Sequence, residues 1–275
     1  MTEEKRMIPQ VLAFFDLGQP VKISLIKQGI SNHNYFVETA EDVFVVKYLV
    51  GQTAVTIEND VAIQQQLLNQ NITTPQYLRS TNNTYIYKNE GLQAVISKRI
   101  PGIVPNQMNL KLAFEFGHKL SVFHTAVTKL PHPNLKSLMN PKVSGIHSVI
   151  FAHDLPKGII HGDFHLGNAL VSSDQDKVIA ILDFEEAAEN LYLIDLAVTI
   201  MAIGTATNDD ILDTGLIQET IRGYQSRRKL CQAERELLPE AIQYAANTWI
   251  KWFEDNKFER YAQKHRARLN SLVGL

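Results

Sequence analysis

The chain has one cysteine, Cys231, in 275 residues, which excludes an internal disulfide and suits a reducing compartment. Long apolar runs are missing as well. Even residues 191–204 are interrupted by Asp195, and a membrane span needs roughly 18–20 uncharged apolar residues. The start, Met1-Thr2-Glu3-Glu4-Lys5-Arg6, is not followed by the apolar stretch of a secretion signal. Charge of one sign is scarce, since the net value is −2, so nothing draws the chain to nucleic acid or to an anionic membrane. No internal repeat, low-complexity tract or Cys/His cluster of metal-binding spacing is present. These absences lead us to expect a cytoplasmic protein, monomer or homodimer, with neither nucleic acid nor membrane as partner. What is there is ordinary globular material, 45% hydrophobic and 20% charged, enough for one large domain or two lobes.

From Val21 the apolar residues recur with period two. Residues 22–27 alternate, 28–34 turn, 35–39 return, and 43–50 form a third strand; 85–87 and 93–97 add two more. Residues 11–17 read as a short amphipathic helix, and 56–69 as the main helix of this part, with stripe Ile57, Val61, Leu68. After Arg99-Ile100-Pro101-Gly102 the period becomes helical. Residues 109–127 carry Ala113, Phe116, Leu120, Phe123 and Val127 on one face, with His118 and His124 read as structural. Residues 191–204 are apolar on every side and predict a buried helix, so Asp195 needs a partner, expected on the backbone or His161 side of the nearby polar loop. The expected fold class is α+β and bilobal. Residues 1–99 form an antiparallel five-stranded sheet with one main helix, and residues 100–275 form a mostly helical lobe.

The chemistry concentrates in two loops. His161-Gly162-Asp163-Phe164-His165-Leu166-Gly167-Asn168 follows an apolar lead-in, and Ile181-Leu182-Asp183-Phe184-Glu185 places another Asp fifteen residues past that Asn. Phosphoryl transfer from a nucleotide needs one carboxylate to orient the acceptor hydroxyl and take its proton. It also needs an amide oxygen and a second carboxylate to hold Mg²⁺ against the phosphates. Asp163 suits the first role, and Asn168 with Asp183 the second, with His161 fixing the loop by hydrogen bonding and Phe164 packing beneath it. The protein-kinase catalytic loop has the same Asp-to-Asn offset and the same Asp-Phe pair. A polar turn that merely happens to carry Asp and Asn is the plain alternative, and the His two residues before Asp163 weighs against it.

Lys47 sits in a β-branched run, where a charge is costly unless paired. It suits the α- and β-phosphates of a nucleotide, with a carboxylate of the 56–69 helix beside it; Glu58 is the expected choice over Asp60, and a solvent-facing Lys47 is the alternative. The turn bearing Ser31 and Asn32 has one glycine, Gly29, and reads equally as a phosphate cradle or a plain hairpin. Backbone groups from Ser97 to Ile100 are expected against the nucleotide base. Glu185 and Glu186 are candidates for an ammonium group on the acceptor, or one of them for a solvated helix start. Trp249 and Trp252 belong to a stripe of core type and are carried only as acceptor-pocket candidates.

Taken together, the two loops resemble those of the aminoglycoside phosphotransferase/choline kinase superfamily, which has a protein-kinase-like fold. Gly29 to Phe36, the Lys47 strand and residues 191–197 extend the resemblance over nearly the whole chain. Within the superfamily, segments 14–18, 29–36, 155–161 and 233–239 are most similar to the homoserine kinase type. The resemblance implies an ATP- and Mg²⁺-dependent kinase acting on a hydroxyl of a small molecule. An aminoglycoside kinase or a choline/ethanolamine kinase would share every one of these residues. A protein kinase is disfavoured, because no Ala-Pro-Glu segment follows Asp183. A non-catalytic nucleotide-binding scaffold is the reading from another class, and the intact Lys47, Asp163, Asn168 and Asp183 count against it.

Overall fold

The computed structural model describes residues 2–26, 33–130, 134–138, 149–205 and 210–272. Contacts divide the chain into two compact units, Met1–Pro101 and Gly102–Leu275.

The first unit is a five-stranded antiparallel sheet, β1 (Lys22–Ile26), β2 (His33–Glu38), β3 (Val43–Tyr48), β4 (Tyr87–Asn89) and β5 (Leu92–Lys98), in the order β1-β2-β3-β5-β4. Alternation along the strands gives it two apolar faces. Phe44, Val46 and Tyr48 of β3 join Tyr35, Val37 and Ile96 in a core with Ile8, Val11 and Leu12 of helix α1 (Glu3–Phe14). That helix begins well before the expected residue 11. The Thr2 side chain accepts from Lys5 N–H, Glu3 and Glu4 fill the first turn, and complete burial of Ile8, Val11 and Leu12 outweighs Pro9. The opposite face packs Val95 and Leu49 against Ile57 and Val61 of α2 (Ala54–Asn69), which is started by a Thr53–Thr56 capping box.

The second unit is mostly helical: α3 (Leu110–Val127), α4 (Tyr192–Ile203), α5 (Thr214–Gln225), α6 (Gln232–Asp255) and α7 (Glu259–Asn270). Two short antiparallel pairs, β6 (Lys157–Ile160) with β9 (Ala188–Leu191) and β7 (Ala169–Val171) with β8 (Val178–Ile181), stand among them. Every residue of α4 but Ala202 is buried, as its all-round apolar sequence predicts. Among the described residues no helix is long and apolar enough to cross a membrane.

Helices α3 and α5 touch backbone to backbone. A Cβ on Gly117 would lie 1.9 Å from the Thr220 carbonyl oxygen, and one on Gly223 equally close to that of Phe114. Gly to Ala normally stabilises a helix by about 1 kcal/mol. Gly117→Ala should instead destabilise this unit by about 1–3 kcal/mol through overpacking, seen as a lower thermal midpoint. A raised midpoint would contradict the close approach.

Candidate active site

The two polar loops span the same gap. Because β6 pairs with β9 and β7 with β8, the loop from β6 to β7 (161–168) and the loop from β8 to β9 (182–187) run side by side. Three contacts tie them. Leu182 N–H donates to the Asn168 carbonyl at 2.9 Å, and the Leu182 carbonyl accepts from His161 Nε2 at 3.0 Å. Gly162, at φ +81°, lies so near the second loop that a Cβ would come within 2.6 Å of the Glu186 carbonyl oxygen. Only glycine meets both demands. With Nε2 donating, His161 Nδ1 accepts from Asp163 N–H at 3.3 Å, which is the loop-fixing role expected of it.

Asp163 and Asn168 meet directly. Asn168 Nδ2 donates to the Asp163 carbonyl at 2.8 Å and to its carboxylate Oδ2 at 3.1 Å. This leaves the amide oxygen of Asn168 to face other partners. Asp163 Oδ1 is buried with no hydrogen-bond partner among the described residues, although the side chain as a whole is part-exposed. Asp183 takes the left-handed conformation, φ +60°, which Asp tolerates better than most residues. Register places it two residues past Ile181, the cross-strand partner of Ala169. Phe164 and Phe184 are buried beneath the loops, Phe164 against Phe116 and Phe184 stacked on Phe123, with the His161 ring about 5 Å from both. Asn168 and Asp183 together offer an amide oxygen and a carboxylate, a donor set that fits Mg²⁺ completed by phosphate oxygens and water.

The loop backbone is held from below by Asp195 of α4, which is fully buried. Its Oδ2 accepts from His161 N–H at 2.8 Å and its Oδ1 from Gly162 N–H at 2.9 Å. His124 of α3 adds a third donor, Nε2 at 2.8 Å from Oδ2, while its Nδ1 lies 2.8 Å from the Tyr224 hydroxyl. Burial pushes His124 below its ordinary range, and its neighbouring Asp195 only partly offsets this. Burial works to raise the Asp195 carboxyl, but the His124 hydrogen bond and the His161 amide hold it below the usual carboxylate range. The pair is therefore a carboxylate and a neutral imidazole, with the Tyr224 O–H donating to Nδ1. The expected partner of Asp195 is thus found on the loop backbone, while the His124 and Tyr224 contributions were not foreseen.

In the first unit, Lys47 is buried. It lies opposite Val95 and one pleat from Leu49, on the sheet face covered by α2, which removes the solvent-facing alternative. Glu58 needs correction as its partner. It lies on the exposed side of α2, whereas Asp60 is buried and accepts from the Tyr77 hydroxyl at 3.4 Å. A buried ammonium calls for a buried carboxylate, so Asp60 replaces Glu58 as the candidate. Ser31 and Asn32 lie outside the described residues. The Ser97 backbone is taken into the sheet between Val45 and Tyr77, so the base-facing candidate moves to the half-buried Ile100 beyond the strand.

On the acceptor candidates, Glu186 is exposed and paired with Lys136 at 2.7 Å, whereas Glu185 is half-buried. The two tryptophans belong to the α6–α7 packing. Trp249 stacks on His265 with centroids 5.3 Å apart, and Trp252, 46% exposed, stacks on Phe258. Burial, aided by the charge of Arg268, pushes His265 down from 6.5 to about 3. The unfolded chain takes up this proton first, so stability is full above pH 6.5 and falls as the pH drops towards 3. Unfolding followed by tryptophan emission should show this loss between pH 7 and about 4, and His265→Phe should reduce it. An equal loss in both proteins would contradict the assignment.

Residues 135–230 match the phosphotransferase enzyme family. The match covers less than half of the chain. It contains both loops of the site and Asp195 of α4. Over nearly its full length the chain is also similar to homoserine kinases. It is 24% identical to that of Burkholderia thailandensis, over 90% of this chain and 85% of the relative, and 24% identical to that of Hyphomonas neptunium, over 83% and 79%. Among solved structures, the amicoumacin kinase hAmiN in complex with AMP-PNP and Ca²⁺ superposes with a TM-score of 0.76 at 12% identity, covering 97% of this chain and 93% of that one. A microcompartment-associated aminopropanol kinase gives 0.75 at 18%, covering 95% of each. The phosphotransferase fold thus extends beyond the matched segment, and the α+β class read from the sequence holds.

Proposed function

We propose that this phosphotransferase moves the γ-phosphoryl group of ATP to the hydroxyl of a small amine-bearing molecule, homoserine foremost. The observation that carries the reading is the joining of Asp163 to Asn168 by two hydrogen bonds and of Asn168 to the Asp183 loop by a third. In this reading the Asp163 carboxylate receives the proton of the acceptor hydroxyl. The acceptor oxygen bonds to the γ-phosphorus, the bond to the bridging oxygen breaks, and ADP leaves with that electron pair. Asn168 and Asp183 would hold Mg²⁺, which when bound neutralises charge on the phosphate oxygens. Lys47 of the first unit would take the α- and β-phosphates, with Asp60 as its carboxylate.

Choice of acceptor rests on two supports. The homoserine kinases are similar over most of both chains, and the aminopropanol kinase, by name, also takes an amino alcohol. The half-buried Glu185 just past Asp183 is the candidate for the ammonium group, and the exposed Glu186 pairs with Lys136. ADP release with ATP and Mg²⁺ should be tested against homoserine, choline, ethanolamine, methylthioribose and aminoglycosides. Release stimulated by homoserine supports the reading, and stimulation by an aminoglycoside alone would replace the acceptor. No stimulation by any of them, with tight nucleotide binding, would favour the scaffold.

A further inference from the structure

His165 lies inside the first loop, yet none of the roles above uses it. Its position is built. The ring caps the short helical turn Leu166–Asn168, with Nδ1 accepting from Gly167 N–H at 3.0 Å. It lies so flat over that turn that a Cβ on Gly167 would come within 2.7 Å of its Cε1. A glycine at 167 is what lets the imidazole settle there. Because Nδ1 is an acceptor in this contact, the ring proton of neutral His165 resides on Nε2. That nitrogen points back along the loop and lies 3.4 Å from Asp163 Oδ2.

The consequence concerns the two oxygens of Asp163. Oδ2 has Asn168 Nδ2 on one side at 3.1 Å and His165 Nε2 on the other. Oδ1 is buried and without a partner among the described residues. Rotation of the carboxylate would give up the Asn168 hydrogen bond and the His165 approach together. The plane of the carboxylate is therefore fixed within the loop.

We propose that His165 is a positioning residue for the catalytic base: its Nε2–H and the Asn168 amide hold Asp163 Oδ2 from two sides and so fix the orientation of the carboxylate that receives the acceptor proton. This rests on the reading of Asp163 as base. The 3.4 Å approach tightens to a hydrogen bond once acceptor and nucleotide are bound, as catalytic contacts commonly do. The clamp is set by the loop itself, with no second element needed to aim it.

The two jobs of His165, capping the turn and clamping the base, are separable by substitution. His165→Asn keeps an acceptor for Gly167 N–H but has no donor long enough to reach Asp163. His165→Gln keeps a donor of suitable reach and gives up the cap, and His165→Ala loses both. Turnover, KM for ATP and thermal midpoint are measured for all three beside Asp163→Asn. The Asn variant should lose about 10- to 100-fold in kcat, the scale of a misaimed reacting group, with midpoint and KM for ATP unchanged, and Gln should recover most of that loss. Wild-type kcat in His165→Asn, or losses in the three variants that simply follow their midpoints, would overturn the clamp. If Asp163→Asn itself keeps full turnover, the base reading falls instead, so the two failures are told apart.

Discussion

Asp163→Asn should lower kcat by about 10²–10⁴-fold, the range for loss of a general base, with nucleotide affinity within about threefold of wild type. The substitution is nearly isosteric, and its side-chain oxygen can still accept from Asn168 Nδ2, as Oδ2 does now. Loop geometry should survive while proton acceptance by the carboxylate is lost, so kcat falls and nucleotide binding does not. Steady-state turnover with a matched titration of ATP and Mg²⁺ checks both halves. Near-full turnover would remove Asp163 from its role, and loss of nucleotide binding in step with turnover would make it a structural residue.

The next largest effect is expected at a residue that touches no ligand. Asp195 gathers three N–H donors, from His161, Gly162 and His124, within 2.9 Å. Asp195→Asn leaves one oxygen for three donors and sets its own NH₂ against one of them. Breaking a buried charged partner of this kind costs about 3–5 kcal/mol, because each stranded buried donor loses its desolvation offset. The thermal midpoint should therefore drop by several degrees. Turnover should fall roughly 10²-fold as well, since the amides of His161 and Gly162 define where Asp163 begins, and a 1 Å misplacement is worth that much. Thermal unfolding and kcat, measured on one preparation, test this. A variant that keeps its midpoint yet loses turnover would mean that Asp195 acts on chemistry and not through the loop.

That Asp163, Asn168 and Asp183 fall on two adjoining loops was legible because their spacing is local: each sits at a fixed offset from an apolar strand. Burial of Lys47 was legible from its place among β-branched residues. The misreading of Glu58 has a definite cause. The stripe Ile57, Val61, Leu68 counted only apolar residues, while the buried residues of α2 are Ile57, Asp60, Val61, Ile63, Gln64 and Leu67, and Leu68 is 54% exposed. Polar residues on the inner face shift the helix phase, and only the fold reveals that. The start of α1 was missed because Pro9 and the charges before it hid a helix whose stability comes from the sheet it covers. The His124–Asp195 and His124–Tyr224 contacts join residues 71 and 100 positions apart, and no local pattern announces them. His165 was in plain view, but its ring orientation depends on the space left by Gly167.

The most direct measurement is a crystal structure with a non-hydrolysable ATP analogue and Mn²⁺ in place of Mg²⁺, using anomalous scattering to locate the metal. The account predicts a manganese peak bound by the Asn168 amide oxygen and the Asp183 carboxylate, with phosphate oxygens completing its shell. A nucleotide bound with its metal away from both side chains would contradict it.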